Sequence, residues 1–429
     1  MVRDIIKPVK GMQDFYPEAW AFQKWLSSRW LSLGSSFGYQ EFEGPLLEPI
    51  ELYLEKSSEE IINKQTYGLV DRKNNRMILR PELTPTLARM IAQKENDLTP
   101  PIRWQSYGRF FRYEKPQRGR GRSFFQWNID LIGSKDVLAD AEILTIACLS
   151  LRSLGLSPAE AKLKINDRRI IQEMLSKRVG VPKERHLPLF RIIDRIDKVP
   201  PDVFKEKLKT AGLSKDQVES LLSLIEEKDP ASFPRFRELF QLLRENEVAD
   251  YCELDLKIIR GFDYYTGTVF EAWADTSLRR ALFGGGRYDN LTRQVGGKKK
   301  LPGVGFAAGD LAVYELLTEL KRLPSLTAVT ARALVTVFSP GTRDYSVRLA
   351  SRLREEGIPI ELYTESDEKL DKQMRYADRN KIPYAIVLGP EEIKRNTYSL
   401  KNLRERKQAE LAYSGLINVL RKSAADPSK

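Results

Sequence analysis

One stretch constrains this chain more than any other: Tyr107 to Gly133, YGRFFRYEKPQRGRGRSFFQWNIDLIG. Both of its ends have strand composition. Arg109 to Tyr113 mixes aromatic and basic residues, and Phe124 to Ile132 is aromatic, apolar and β-branched. Between them Pro116, Gly119 and Gly121 are interleaved with Lys115, Arg118, Arg120 and Arg122, which predicts an antiparallel hairpin with a long cationic tip. Arg109 and Arg112 stand at its base. Side chains alternate along a strand, so Gln126 and Asp130, four apart, share one face of the returning strand. Cations beside an acceptor pair on a sheet suit a ligand that carries both a phosphate and an ammonium group. Taken alone, the stretch suits equally well a basic hairpin that only touches RNA phosphates.

The strings FRYEKP and RGRSFFQWNID tip that balance. They resemble motif 2 of the class II aminoacyl-tRNA synthetases, in the version found in the histidyl-tRNA synthetases. Other stretches extend the resemblance over almost the whole chain. Residues 19–33 have apolar side chains at helical spacing, and YQEFEGPLLEPIELY follows as a strand running into Pro45 and Pro49. Helix, strand and proline resemble motif 1, the dimer-forming element, although that pattern is common.

Residues 77–92, MILRPELTPTLARMIA, predict a short strand ending at LRPE and then a helix, with Thr84 as its cap and Pro85 in its first turn. On its own, Glu82 reads as a first-turn carboxylate favoured by the helix dipole. The LRPE-x-T pattern is similar to the histidyl family's, which implies that Glu82 and Thr84 hold the amino acid's α-amino group with Asp130 as companion. RGFDYYTGTVFE, residues 260–271, is the most specific string in the chain. A glycine inside a strand predicts a bulge that aims its neighbours into a cleft. The resemblance implies that Arg260 neutralises the α-phosphate and that Tyr264 and Tyr265 shape the histidine pocket.

LFGGGRYDNL, residues 282–291, lets backbone approach a ligand closely or makes a tight turn before a helix. It lacks the Gly-Lys-Ser/Thr ending of a Walker loop. The family has GGRYD here, lining its substrate pocket. PGVGFAAGDLAVYELL, residues 302–317, corresponds to motif 3 but departs from it. The usual motif places an ATP-binding arginine in the first helical turn, where this chain has Asp310, Leu311 and Ala312. Arg287 or another cation would have to substitute.

Composition narrows the chemistry. Lys plus Arg number 71 against 59 Asp plus Glu, a formal charge of +12, which favours a polyanionic partner or serves solubility. No run of ~18 apolar residues exists, so no membrane span is expected. The N-terminal segment has no signal-peptide core, and a cytoplasmic protein is expected. Two cysteines, Cys148 and Cys252, are too few for a disulfide scaffold or a cysteine zinc site, and Cys148 falls on an apolar stripe that predicts a core position. The single histidine, His186, cannot supply a histidine-based triad or metal cluster and is expected at the surface or in a structural role. No protein metal site is expected.

The expected fold is α+β: a mainly antiparallel class II synthetase-like catalytic sheet over residues 1–165 and 251–322, with a helical insertion over 166–250. Residues 135–154 predict a helix stopped at Gly155, and the insertion includes two short helices around Gly212. Past a linker at 320–332, strand and helix patterns alternate with glycine stops. They predict a small α/β domain with a largely parallel sheet over 331–423. It resembles the family's anticodon-binding domain.

The whole resemblance implies a homodimer that ligates L-histidine to the 3′ end of tRNA(His) through a histidyl-adenylate, with ATP as substrate and Mg²⁺ beside it. Arg112 and Arg260 would be catalytic, flanking the α-phosphate. Histidine would be held by Glu82, Thr84, Gln126, Asp130, Tyr264 and Tyr265. ATP would be met by Arg112, Glu114, Phe125, Arg260 and Arg287, with the Phe125 ring either under the adenine or in the core. Arg118, Arg120 and Arg122 would meet acceptor-stem phosphates. A catalytically silent relative, such as the regulatory subunit of ATP phosphoribosyltransferase, is the alternative that the missing motif 3 arginine supports. A non-enzymatic RNA-binding protein is supported only by the charge.

Overall fold

The computed structural model describes residues 5–54, 65–193, 196, 199–259 and 264–422. Two units emerge, Met1–Asp14 with Gln23–Leu323, and Phe15–Phe22 with Pro324–Lys429. The strands of the first are β1 (Gln40–Glu41), β2 (Leu47–Pro49), β3 (Tyr67–Val70), β4 (Arg76–Leu79), β5 (Ile102–Phe111), β6 (Ser123–Ile132), β7 (Ala161–Asp167), β8 (Cys252–Leu254), β9 (Thr268–Ala274), β10 (Phe283–Tyr288) and β11 (Gly303–Gly309). Eight of them form one sheet in the order β1-β5-β6-β11-β10-β9-β7-β8. Its interior pairs are antiparallel, and only the edge pairs β1–β5 and β7–β8 are parallel. β2, β4 and β3 make a small antiparallel sheet of their own.

The hairpin is present and longer than its composition suggested, with β5 and β6 of ten residues each, pairing Gly108 with Gln126 and Trp104 with Asp130. Period two divides β6 into two sets. Trp127 and Ile129 are fully buried, Trp127 stacking on Trp30 of the helix Pro17–Ser36 at 5.6 Å. Phe124, Gln126, Asn128 and Asp130 face a cavity.

The glycine run 284–286 makes no turn. It lies inside β10, against β11 on one side and β9 on the other. A Cβ on Gly285 would stand 2.1 Å from the Gly305 carbonyl oxygen, and one on Gly286 2.7 Å from that of Thr268. The glycines therefore let neighbouring strands close up; of the two readings, the tight turn is replaced by a buried strand, and Gly284 lies in the cavity wall.

Thr84 is not a cap either. It is the first residue of the helix Thr84–Gln93, whose cap position is Leu83 with no side-chain hydrogen bond, while Pro85 sits in the first turn as expected. The helix Val137–Ser153 is capped by Asp136, which accepts from the Leu138 N–H, and ends before Gly155 at φ +77°. Cys148 lies in the core on this helix, its Sγ 3.5 Å from that of Cys252.

Between β7 and β8 the chain is helical, including Arg168–Lys177, His186–Ile193, Pro201–Thr210, Lys215–Ile225 and Pro234–Glu245. The two helices around Gly212 are there, the second opened by a reciprocal Ser214–Gln217 capping box. His186 is buried beside the Val181 carbonyl oxygen, 3.0 Å from its Nε2, which is a structural role.

The second unit has β12 (Ala333–Val335), β13 (Ile360–Leu362), β14 (Tyr384–Val387), β15 (Tyr398–Asn402) and β16 (Lys407–Leu411), in the order β13-β12-β14-β15-β16. The first three are parallel, as alternating strand and helix predict, but β15 and β16 add an antiparallel hairpin. The sheet is mixed rather than largely parallel. Val335, Leu349, Leu353, Ile386, Leu400 and Leu416 build its core with the helices Arg343–Glu355 and Tyr413–Lys422. Among the described residues no helix is long and apolar enough to cross a membrane.

Candidate active site

The cavity of about 700 Å³ in the first unit lies on the β6–β11–β10 face of the large sheet. It is roofed by residues just before the helix Thr84–Gln93, by the hairpin loop and by the segment between β9 and β10. Its two ends differ in charge.

At one end two carboxylates are buried, Asp130 on β6 and Glu82 before the helix Thr84–Gln93. Tyr264 donates its hydroxyl to Glu82 at 3.1 Å, and Tyr288 donates to Asp130 at 2.6 Å. Tyr264 and Tyr265 lie with ring centroids 4.8 Å apart. Burial pushes Asp130 up to about 7, against the lowering effect of the Tyr288 hydrogen bond. Gly305, opposite Asp130 in the register, leaves the space that carboxylate fills, since a Cβ there would stand 2.0 Å from Oδ1. Gln126 Oε1 and Asn128 Nδ2 are buried without a hydrogen-bond partner among the described residues. Such atoms cost free energy unless a ligand completes them.

At the other end guanidinium groups gather. Arg112 donates from Nε to the Pro81 carbonyl at 2.9 Å and stacks over Phe124, 5.4 Å from its centroid. Arg120 pairs with Glu114 at 3.1 Å, and Arg280 donates to the Gly119 carbonyl at 2.7 Å. A low-dielectric space with carboxylates at one end and guanidiniums at the other can bind a zwitterion and a polyphosphate side by side.

Of the residues expected from the sequence, Glu82, Thr84, Arg112, Glu114, Arg118, Arg120, Gln126, Asp130, Tyr264 and Tyr265 all line this cavity. Arg260 lies outside the described residues. Phe125, Arg287 and Arg122 are not among the lining residues. Phe125 faces away because Gln126 faces in; its ring stacks on Tyr107 at 5.6 Å and 6°, with Arg109 4.8 Å from its centroid. Arg287 is similarly one residue out of phase with Tyr288. It is 1% exposed and is held by Asp140, at 2.7 Å, and by the carbonyls of Ser134 and Asp136. Arg122 donates to the Glu114 and Lys10 carbonyls and lies over the Tyr113 ring. Arg118 reaches Glu315 and Glu319 on the helix Asp310–Glu319.

Sequence reasoning missed Phe124, Asn128, Tyr288 and Arg280. Period two on β6 was signal enough for the first two, since it selects 124, 126, 128 and 130 together. Tyr288 needed the register of β10, and Arg280 stands in a loop with no motif.

A mostly antiparallel sheet whose central hairpin carries a cationic loop over a two-ended cavity defines a class II aminoacyl-tRNA synthetase core. Comparison with known proteins narrows the class. The family model for histidyl-tRNA synthetase matches residues 11–312, and that for an anticodon binding domain matches 332–423. A histidine–tRNA ligase of Leptospira biflexa is 34% identical over 429 aligned residues, 96% of each chain. The chloroplastic/mitochondrial histidine–tRNA ligase of Arabidopsis thaliana is 33% identical over 96% of this chain and 86% of its own. The crystal structure of histidyl-tRNA synthetase from Nostoc superposes with a TM-score of 0.83 over 98% of this chain and all of that one, at 22% identity, a likeness of fold. This chain belongs to the histidyl-tRNA synthetase family. The reading as a silent regulatory subunit is not favoured by these relatives.

Proposed function

We propose that this protein ligates L-histidine to the 3′ end of tRNA(His), using ATP and passing through histidyl-adenylate. The observation that carries the proposal is the pairing of buried Asp130 and Glu82 with the guanidinium end of the same cavity. Histidine's ammonium is the cation that would lie beside those carboxylates, because its imidazole is largely neutral at pH 7. Gln126 and Asn128 offer an acceptor and a donor to the same substrate, and Thr84 lines its site. Tyr264 and Tyr265 close the pocket around the imidazole.

In the first step a carboxylate oxygen of histidine bonds to the α-phosphorus of ATP. The bond from that phosphorus to the α–β bridging oxygen breaks, and its electron pair leaves with pyrophosphate. Negative charge builds on the α-phosphoryl oxygens, so fixed cations and alignment supply most of the catalysis. Arg112, held by the Pro81 carbonyl, and Arg260 take that role in this reading. In the second step a ribose hydroxyl of the tRNA end displaces AMP from the acyl carbon.

Mg²⁺ beside ATP belongs to the same proposal. Among the described residues no cluster of three ligating side chains exists, yet Glu114 and Glu271 line the cavity. That donor set fits Mg²⁺ held by one or two carboxylates together with the nucleotide's own oxygens, where it would neutralise phosphate charge.

Acceptor-stem phosphates would meet the hairpin tip, with Arg118, Arg120 and Arg122 exchanging their internal acceptors for RNA. The second unit would take the anticodon. A homodimer through the motif 1 elements, the helix Pro17–Ser36 and the edge strand β1, completes the reading, and a cytoplasmic location accords with it. The deciding experiment is ATP–pyrophosphate exchange with purified protein. Exchange should require histidine and be absent with other amino acids; no histidine-dependent exchange would sink the proposal.

A further inference from the structure

The helix Asp310–Glu319 brings no cation to the cavity, since its first turn offers Asp310, Leu311 and Ala312. Asp310 is turned to the protein itself, accepting from the Phe125 N–H at 3.0 Å and from Gln23 at 2.6 Å. Another element fills the space in front of that turn. Arg280, in the segment between β9 and β10, extends along the hairpin loop. A Cβ built on Gly119 would stand 3.5 Å from both the Ala312 Cα and the Arg280 Cδ. The arginine stem and the backbone of position 312 therefore flank the same point of the hairpin loop.

The guanidinium at its end is poorly served by the protein. Nη1 reaches the Gly119 carbonyl, but Nε is buried with no hydrogen-bond partner among the described residues. Burial, then the cations Arg120 and Arg112, push its acidity to about 10, while Glu114 alone pulls the other way. Glu114 is already paired with Arg120. Arg112, Arg120 and Arg280 thus gather at this end of the cavity, and their positive charge with the open Nε donor suits a polyanion.

Position along the cavity tells which part of the polyanion. Asp130 is near the end of β6, and Phe124, under the Arg112 guanidinium, is near its start. Arg280 lines the cavity on the side of the hairpin loop, where it donates to the Gly119 carbonyl. With the ammonium at Asp130 and the reacting phosphorus near Arg112, the far end receives the phosphates that leave.

We propose that Arg280 binds the β- and γ-phosphates of ATP and holds the departing pyrophosphate, supplying from a loop the cation that the helix Asp310–Glu319 lacks. This rests on the functional reading above. When the α-phosphorus bonds to the carboxylate oxygen, the charge released onto the bridging oxygen arrives within reach of the Arg280 donors. The interaction strengthens as the bond breaks, so the residue touches the leaving group as well as the ground state.

The test uses the full chain, fluorescent ATP-analogue titration, and exchange kinetics on Arg280→Gln, Arg280→Lys and the double variant Arg280→Gln/Ala312→Arg. Loss of a charge-assisted hydrogen bond predicts ATP and pyrophosphate affinities about 10–100-fold weaker in Arg280→Gln. Histidine KM and the thermal midpoint should stay at wild-type values. Arg280→Lys, with charge but no fork, should fall between, and Ala312→Arg should restore part of the loss. Unchanged ATP and pyrophosphate affinities in Arg280→Gln would overturn the inference. Equal weakening of histidine and ATP together with a lower thermal midpoint would overturn it too, marking a structural loop residue. If the wild-type protein binds ATP through Arg280 but shows no histidine-dependent exchange, the functional reading falls, overturning the pyrophosphate role of Arg280 while its contact to ATP stands.

Discussion

Tyr288 donates its hydroxyl to Asp130 Oδ1 at 2.6 Å, and both groups are buried. The hydrogen bond orients the carboxylate, but it does not discharge the cost of burying it, which holds Asp130 at about 7. A bound ammonium would. Asp130→Asn keeps the acceptor for Tyr288 and removes the charge. Histidine affinity should fall by roughly 3 kcal/mol, more than a hundredfold, as expected for one partner lost from a buried ion pair. ATP affinity and ligand-free stability should not fall. Histidinol, which retains the ammonium, should weaken in parallel. Normal histidine binding in a protein that melts early would make Asp130 a structural acid.

The same burial sets a pH dependence. Asp130 and Asp310 are both pushed up to about 7, so the native protein holds protons that the unfolded chain releases near pH 4. Their contribution to stability is complete below the unfolded value and is lost as pH rises through about 7. The ligand-free thermal midpoint should therefore decline between about pH 4 and 7 and level off above. Asp130→Asn should flatten part of that decline and leave the Asp310 part. A slope unaltered by the substitution would contradict the assignment.

The hairpin, its basic loop and the acid pair were legible because period two and glycine placement are local properties. Phe125 could lie under the adenine or in the core, and the period-two rule that puts Gln126 and Asp130 on one face turns its ring to the other, where it stacks on Tyr107. Position 287 was harder. GGGRY looks like a turn until β9 and β11 flank it, and its arginine has its partner Asp140 on a helix 147 residues earlier. The tip arginines looked free for RNA because Glu315 and Glu319 are about two hundred residues from Arg118. The hairpin β15–β16 passed unseen, since residues 407–410 of its second strand are exposed and carry no apolar alternation.

Arg287 gives the third prediction. Its guanidinium and Asp140 are essentially fully buried, and each is the other's main partner. Arg287→Ala leaves the buried carboxylate with Arg235 alone as its cation and should destabilise the protein by about 3 kcal/mol, the low end for a broken buried ion pair. Where the variant remains folded, its KM for ATP should match wild type. In a double-mutant cycle with Asp140→Ala the two losses should not add, because both variants remove the same buried ion pair. An ATP KM raised without loss of stability would return Arg287 to the nucleotide.

The last prediction separates two adjacent rings. Phe124 lines the cavity beneath the Arg112 guanidinium, and Phe125 stacks on Tyr107 on the other face of β6. A planar base entering the cavity therefore meets Phe124. Stacking on an aromatic ring is worth about 1–3 kcal/mol by alanine substitution, so Phe124→Ala should raise the KM for ATP about tenfold or more. Its effect on stability should be the smaller of the two, since the ring is only partly buried. Phe125→Ala empties a packed position and should cost about 3–5 kcal/mol of stability. Its KM for ATP should change little, because the contact that joins it to the motif 3 helix is its backbone N–H to Asp310, which alanine keeps. Thermal melts and exchange kinetics on the two variants give opposite orders for the two faces. If Phe125→Ala weakens ATP while Phe124→Ala only melts early, β6 presents the other face to the nucleotide, and the placement of Gln126 and Asp130 beside the substrate fails with it.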